Sequence, residues 1–314
     1  MLMDTATVAR FEASRSRLAS LAYRLLGSAA DAEDTVQDAF LRWQAADREY
    51  IEVPEAWLTK VVTNLALDRL RSAKVQRERA VGAWMPEPLL DGDPMLGPAD
   101  TAEQRESVTL AVLTLMERLS PVERAVYVLH EAFAYTHAEI AGMLGITESA
   151  SQQHNSRARR RIAMARNTFD TDEASTRRIV EAFVAAASSG RTENLVALLT
   201  DDATGVSDGV RGLAQQLIRY TDPARIARAV RAGFAPSSAK RRLAGGSPSI
   251  HASVVNGCPA MLLALDDQIL AATILEIRDD KIAGLYGIAN PDRLRRLVAQ
   301  WRRREHETSL IGWW

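Results

Sequence analysis

The hydrophobic period changes along the chain, and that change bounds what it can fold into. In residues 10–80 and again in 105–167, apolar side chains return every three or four positions, as Phe11, Leu18, Leu21, Ala22 and Leu25 do. That is the spacing of one face of an α-helix. After Thr168 the character differs. A helix at about 173–188 and an Arg-rich one at 222–234 lead into alternating apolar segments at 250–256, 259–265, 268–277 and 281–288. Between them Asn256-Gly257, Asp266-Asp267 and Asp279-Asp280 have the composition of two-residue hairpin turns. A closing helix starts at Pro291. With 314 residues, the chain exceeds one compact helical unit and reads as several domains.

Within the first half, Gly27-Ser28 interrupts the helical pattern, residues 45–54 form a polar loop ending at Pro54, and a long amphipathic helix runs from about Glu55 to Arg79. Residues 82–104 contain Pro86, Pro88, Pro94 and Pro98 with Gly92 and Gly97, the composition of a linker. The expected division is 8–80, a linker at 81–104, a second helical domain at 105–168 and an α+β domain at 172–314.

Charge is balanced in total, with 39 Lys and Arg against 40 Asp and Glu, but sorted along the chain. Residues 31–55 hold eight acids and two bases; residues 60–79 hold six bases and two acids; residues 148–166 hold five arginines against Glu148. Each run alone reads as a solvated helix face. Two separated basic helices together point to one long anionic partner touched twice. No apolar run approaches the roughly 18 residues of a membrane span, and Met1 to Arg17 lacks the apolar core of a signal peptide, so a cytoplasmic protein without membrane contact is expected. The single cysteine, Cys258, excludes a disulfide framework and a cysteine-based zinc site. His130, His137, His154 and His306 show no metal-ligand spacing. No metal or cofactor is expected, and no Gly-rich phosphate loop with a Lys is present.

The strongest local motif is Thr136 to Ile162. Ile140 and Leu144 form a core face, Ala141 is small where two helices cross, Gly145 can take positive φ, Ile146 plugs the second helix and Thr147 is an N-cap residue, the layout of a helix-turn-helix. The second helix offers Ser149, Gln152, Gln153, Asn155 and Ser156 to base edges, then Arg157, Arg159 and Arg160 to phosphates.

In that setting, Leu18 to Gly27 and Asp31 to Trp43 resemble the first half of region 2 of an extracytoplasmic-function sigma factor, and Ala56 to Arg71 resembles its second half. Leu119-Ser-Pro-Val-Glu-Arg124, the helix-turn-helix and Arg157-Ala-Arg159 resemble region 4. The remainder is similar to the subgroup with a SnoaL-like extension. Trp84-Met-Pro86-Glu-Pro88-Leu89 resembles its linker signature and Asn290-Pro291-Asp292-Arg-Leu294 its C-terminal motif, while its Asp-Gly-Gly-Gly stretch is reduced here to Asp208-Gly-Val-Arg211. A second departure is that Ser151 and Asn155 stand where the family has apolar anchors.

The resemblance implies two all-α sigma domains followed by an α+β SnoaL-like (NTF2-like) cone. It implies an initiation factor that binds core RNA polymerase, through its β′ and β subunits, and promoter DNA. Asp34, Gln37 and Asp38 would meet the polymerase, complementary charge favouring fast assembly. The −10 element would be held by Asp47, Arg48 and Tyr50 of the loop and by Asn64, Arg69, Arg71 and Lys74 of the basic helix, a groove of cations and base-capturing side chains. At helical spacing, Trp43 and Trp57 read as core. The −35 element would lie along residues 148–162. Trp84, Pro86, Pro88, Asp208, Asn290, Pro291 and Asp292 would carry regulation, with the Asn290–Leu294 motif touching the Pro86–Pro88 linker. The cone leaves room for a small ligand, and a fused regulatory domain makes a separate anti-sigma factor unnecessary. Asp208, His251 and Tyr286 are the polar residues a catalytic cone would use, but they form no convincing acid/base constellation, and no enzyme is expected. The competing reading is a helix-turn-helix regulator with a small-molecule-sensing C-terminal domain.

Overall fold

The computed structural model describes residues 5–77, 85–97, 101–163, 173–209, 217–235, 237–306 and 308–312. The chain forms two compact units. One comprises residues 1–81 with 92–165, the other residues 82–91 with 166–314. The stretch read as a linker is therefore divided between them rather than standing apart.

The first unit is helical. Helices α1 (Thr5–Leu26), α2 (Ala29–Ala45) and α3 (Pro54–Arg77) pack around Phe11, Leu18, Leu21, Leu25, Val36, Trp43, Leu58 and Val62, all at most 2% exposed. Ser28 caps α2 by accepting from Asp31 N–H, so the break at Gly27-Ser28 is a cap. Trp43 donates from Nε1 to Thr7 O at 3.1 Å and its ring lies 5.7 Å from that of Trp57; both serve packing, as their spacing indicates. Then follow α4 (Ala102–Glu106), α5 (Leu110–Met116), α6 (Pro121–Tyr127) with a π-helical turn at Val128–Ala132, α7 (His137–Leu144) and α8 (Glu148–Ile162).

Two buried arginines join the early helices to the later ones. Arg24, 2% exposed, donates to Ser107 Oγ (2.9 Å), Leu96 O (2.7 Å) and Ser20 Oγ. Burial lowers its pKa to about 10, so it stays charged at neutral pH. Arg124 donates to Leu25 O (2.8 Å) and Met116 O (3.0 Å). Gly97, at φ +68°, lies so close to Ser20 Oγ that a Cβ would collide with it.

The second unit is a six-stranded sheet with helices. Its elements are α9 (Glu173–Ser188), α10 (Thr192–Leu198), β1 (Leu199–Ser207), β2 (Ile218–Tyr220), α11 (Pro223–Phe234), α12 (Ser238–Ala244), β3 (Ser249–Val255), β4 (Cys258–Leu265), β5 (Gln268–Arg278), β6 (Lys281–Ile288) and α13 (Pro291–Trp301). Strand order is β2-β1-β6-β5-β4-β3. All pairs are antiparallel except β1 with β6. The expected turns hold: Asn256 (φ 52°), Gly257 (70°), Asp266 (49°), Asp279 (52°) and Asp280 (59°) take the left-handed conformation that tight hairpins need. An apolar core including Phe183, Leu195, Ile226, Ile250, Met261, Leu275 and Leu285 joins the sheet to α9, α10 and α11.

Strand β3 is an edge, and an open edge invites pairing. Segment 85–91 covers one end of it. Leu89 N–H donates to Asn256 Oδ1 (2.8 Å), Asn256 N–H donates to Leu89 O (2.9 Å), and Asp91 N–H donates to Val254 O (3.0 Å). Residues 310–311 cover the other end through Ile250 N–H to Ile311 O (2.8 Å) and Leu310 N–H to Ile250 O (2.7 Å).

Candidate nucleic-acid interface

The helix-turn-helix has the predicted architecture. Thr136 and Glu139 form a capping box on α7, Gly145 ends that helix at φ +65°, and Thr147 caps α8 by accepting from Ala150 N–H. Ile140 is fully buried. Along α8, Ser149, Gln152, Gln153, Ser156, Arg157, Arg159 and Arg160 are exposed. One row of short polar side chains thus leads into guanidinium groups, the order that groove reading requires.

Asn155 departs from that row. It is 4% exposed and donates to Glu131 Oε1 (2.9 Å), so it does not present itself to a groove. Ser151, fully buried, lies 2.9 Å from His137 Nδ1. The two polar residues thus occupy inward anchor positions. Ser151 has a partner there, whereas Asn155 Oδ1 is buried without one. Burial first, and then the neighbouring His130, lowers the pKa of His137.

Arg157 and Arg161 converge on Glu123, at 2.8 and 3.0 Å. Glu123 also accepts from Ser120 N–H at 2.9 Å. Burial opposes its ionisation, but the Ser120 bonds and the two guanidinium groups prevail, bringing its pKa to about 2. Arg157 is therefore held in place at the surface, while Arg159 stands 3.8 Å from Glu131 and Arg160 donates to Ser156 Oγ at 3.1 Å. Glu123 was not singled out in the sequence; its signal was the Ser-x-x-Glu spacing of a capping box.

In the first three helices, Asp34 and Gln37 are exposed, and Asp38 pairs with Arg69 at 2.8 Å. Asp31 and Asp34 stand 3.8 and 4.0 Å from the same guanidinium. Arg69, expected at phosphates, thus anchors the acidic face of α2. The loop 45–54 contains a 3₁₀ turn at Arg48–Tyr50, where Asp47 accepts from Glu49 N–H. Arg48 is exposed; it lies over the Trp43 ring (5.9 Å) and donates to Trp43 O at 3.3 Å. Tyr50 is 83% exposed and projects from the loop. Asn64 is half-buried, and exposed Arg71 pairs with Asp68 at 3.3 Å. The side chain of Lys74 and all of Trp84 lie outside the described residues.

In the second unit, Asp208 is 8% exposed and ties the end of β1 to the start of α13. Its carboxylate accepts from Ala289 N–H (2.7 Å), Asn290 N–H (3.2 Å) and Arg293 (3.2 Å). Asn290 in turn caps α13 by accepting from Asp292 N–H, with Pro291 in the first turn. The reduced Asp208 motif therefore still makes a contact, a structural one. Tyr286 is buried and donates to Glu276 Oε2 (3.4 Å); burial and that carboxylate raise its pKa. His251 lies on β3, with Nε2 2.9 Å from Ser249 Oγ. Asp208, Tyr286 and His251 thus each have described partners of their own.

The Pro86–Pro88 segment and its neighbours also make contacts away from Asn290–Leu294. Pro86 and Pro88 are buried, but their segment bonds to Val254 and Asn256 and to the far end of α13, where Leu90 N–H donates to Gln300 Oε1 (3.2 Å) and Arg304 donates to Asp91 O. The hydrogen-bonding start of α13 is held by Asp208. Among the described residues no group of three or more His, Cys, Asp or Glu could hold a metal ion, and no helix is long and apolar enough to cross a membrane.

Two helical regions, one with an exposed acidic helix and a basic one beside it, the other with a capped helix-turn-helix, define a sigma-type DNA-binding protein. Residues 10–75 match the Sigma-70 region 2 family and residues 109–162 the Sigma-70, region 4 family. The chain is 38% identical over 297 residues to the ECF RNA polymerase sigma factor SigJ of Mycobacterium tuberculosis, covering 91% of this chain and 92% of that protein. It is 32% identical to the probable ECF RNA polymerase sigma factor SigI of the same species, covering 93% and 96%. The crystal structure of Mycobacterium tuberculosis SigJ matches with a TM-score of 0.67 at 34% identity, covering 92% of this chain and 98% of that one. The chain belongs to the ECF RNA polymerase sigma factors. It is an alternative sigma initiation factor, of a class that binds core RNA polymerase and promoter DNA.

Proposed function

We propose that α2 docks on the β′ subunit of core polymerase through Asp34, Gln37 and Asp38, that Tyr50 and α3 engage the −10 element, and that α8 reads the −35 element. The observation that carries the last assignment is the exposed row Ser149, Gln152, Gln153 and Ser156 running into Arg157, Arg159 and Arg160. Arg69 fixes the three aspartates in one geometry, which supports α2 as a preformed docking surface. Promoter melting draws on binding energy alone, in the cytoplasm where the polymerase works.

The second unit is a SnoaL-like (NTF2-like) domain that regulates rather than catalyses. The apolar side chains between its sheet and helices speak against a catalytic cavity. Its hold on Met85 to Asp91, the segment that leads from region 2 towards region 4, supports control through the linker and makes a separate anti-sigma factor dispensable. The test is run-off transcription with purified core polymerase on the promoter upstream of its own gene, comparing the full chain with one ending near Asp170. Promoter-specific transcript from either establishes the assignment, and their difference gives the sign of control. Binding to DNA without binding to core refutes it.

A further inference from the structure

The Arg-rich helix read from the sequence at 222–234 has no part in the assignments above. Residues 217–246 hold seven bases and a single acid, Asp222. In α11, Ile226 and Ala227 are buried in the core between sheet and helices, with Val230 and Phe234 packed against it. Arg225, Arg228 and Arg231 are exposed. Three residues apart, they follow one side of the helix over about 9 Å. Ala232, Gly233 and Ala235 beside them are exposed too and carry no side chain beyond Cβ. Arg231 donates to Gly190 O at 3.0 Å, which brings the turn carrying exposed Arg191 to the end of the row.

Elsewhere in this unit arginines are answered by carboxylates: Arg177 by Glu181 at 2.9 Å, Arg295 by Asp292 at 2.8 Å and Arg293 by Asp208 at 3.2 Å. On α11 the charge is poorly answered. Arg225 stands 3.9 Å from Asp222, Arg231 bonds to a neutral carbonyl, and Arg228 has no ion pair or hydrogen bond among the described residues. Asp222 and Glu193, the latter in the first turn of α10, are the acids on α10 and α11 and next to them. Like charges at helical spacing repel, so the row is relieved when an anion meets it.

The composition of this side selects the anion. A protein interface is anchored by aromatic or other large apolar side chains, and the exposed side of α11 offers only Arg, Ala and Gly. A helix that lies in a membrane surface needs its apolar side available, and here that side is packed into the core. Base edges are read by Asn, Gln, Ser or Thr as well as by Arg, and α11 contains none of these besides Arg. What remains is a row of phosphates, met by guanidinium groups with small residues between them that let a backbone approach.

We propose that the exposed side of α11 is a DNA contact of the second unit, one that takes the phosphate backbone of a duplex and reads no bases. Arg225, Arg228 and Arg231 donate to phosphate oxygens, and the contact adds affinity without adding sequence preference. It does not depend on which bases α8 reads.

The test measures binding of the full chain to the duplex upstream of its own gene and to a scrambled duplex of the same length and composition, by fluorescence anisotropy over a series of salt concentrations. Arg225→Gln combined with Arg228→Gln should weaken binding to both duplexes alike and reduce the slope of log affinity against log salt by about two, and Arg228→Gln alone should reduce it by about one. Arg295→Gln combined with Arg303→Gln removes the same charge from exposed positions in and just after α13 and should leave the slope as it was. All four side chains are exposed, so the variants should melt with the parent. An unchanged slope in the α11 variants, an equal fall in the α13 variant, or a loss confined to the promoter duplex overturns the proposal. So does the absence of measurable binding by the unaltered chain at low salt. Unchanged DNA binding together with weakened binding to core polymerase also overturns it, and assigns the surface to an acidic protein partner.

Discussion

Leu89 and Asn256, 167 positions apart, exchange two hydrogen bonds: the Leu89 N–H donates to Asn256 Oδ1 at 2.8 Å and the Asn256 N–H donates to Leu89 O at 2.9 Å. Asn256 is fully buried and sits at φ +52° in the β3–β4 turn. One residue thus shapes a hairpin and grips the segment between the sigma regions. Asn256→Gly keeps the turn conformation, because glycine tolerates positive φ, and removes the side-chain acceptor that holds the Leu89 N–H. Docking of the segment should weaken by about 1–2 kcal/mol, and hydrogen exchange at the Leu89 to Asp91 amides should accelerate accordingly. Unchanged exchange there would mean that the side-chain bond contributes nothing to docking.

Asp208 carries three contacts at the start of α13, so its loss should cost more than loss of Arg293, which takes part in one of them. Asp208→Ala strands two backbone N–H groups and breaks the ion pair with Arg293; about 3 kcal/mol is the scale for breaking a largely buried ion pair. Urea unfolding of the full chain should show Asp208→Ala clearly below Arg293→Met. Equal stability of the two variants would contradict the capping role.

Glu123 gives region 4 a defined acid response. Its folded pKa, about 2, lies below its ordinary 4.5. A carboxyl with a depressed folded pKa adds stability that is complete above the unfolded value and lost as pH falls through the folded one. Its contribution should therefore be constant at neutral pH and fade between pH 4.5 and about 2. Glu123→Gln should lower stability by about 1–2 kcal/mol at pH 7, through the capping box and the released Arg157 and Arg161, and the difference from the parent should shrink as pH falls through that window. Thermal melts over a pH series, read by circular dichroism, check both statements.

The residues of α8 divide by direction. Gln152→Ala or Gln153→Ala should change which −35 sequences are preferred, while Arg157→Ala should weaken all of them and lower the salt slope by about one. Asn155→Leu should leave preference unchanged and stability within about 1 kcal/mol, since it removes an unpartnered buried oxygen and Arg159 remains 3.8 Å from Glu131. A binding panel across promoter variants separates the three behaviours. An Asn155→Leu chain with altered preference would put that residue back in the groove.

Local signals made much of this structure readable from sequence. Gly145 and Thr147 mark the helix-turn-helix because a turn needs a left-handed residue and a helix needs a cap, and Asn256-Gly257 marks a hairpin for the same reason. Helical spacing correctly assigned Trp43 and Trp57 to packing. What stayed hidden depends on distant partners. Strand β1 (Leu199–Ser207) pairs in parallel with β6, some eighty residues on, and its sequence lacks clean alternation. Arg69 looked like a phosphate ligand until the fold brought Asp31, Asp34 and Asp38 to it. Asn155 looked like a base reader because its chemistry suits one; its burial follows from the rotation of α8 against its neighbours. Arg24 and Arg124, which join the early helices to region 4, sit among apolar residues in sequence and reveal their role only through the carbonyls they meet.

The most direct test of linker control is run-off transcription with core polymerase, comparing the unaltered chain with Asn256→Gly on one promoter. Both should give promoter-specific transcript, and the amount should differ by about the tenfold that releasing 1–2 kcal/mol of linker docking allows. Equal transcript from both, when hydrogen exchange shows the Leu89 to Asp91 segment released, would contradict control of initiation through this contact.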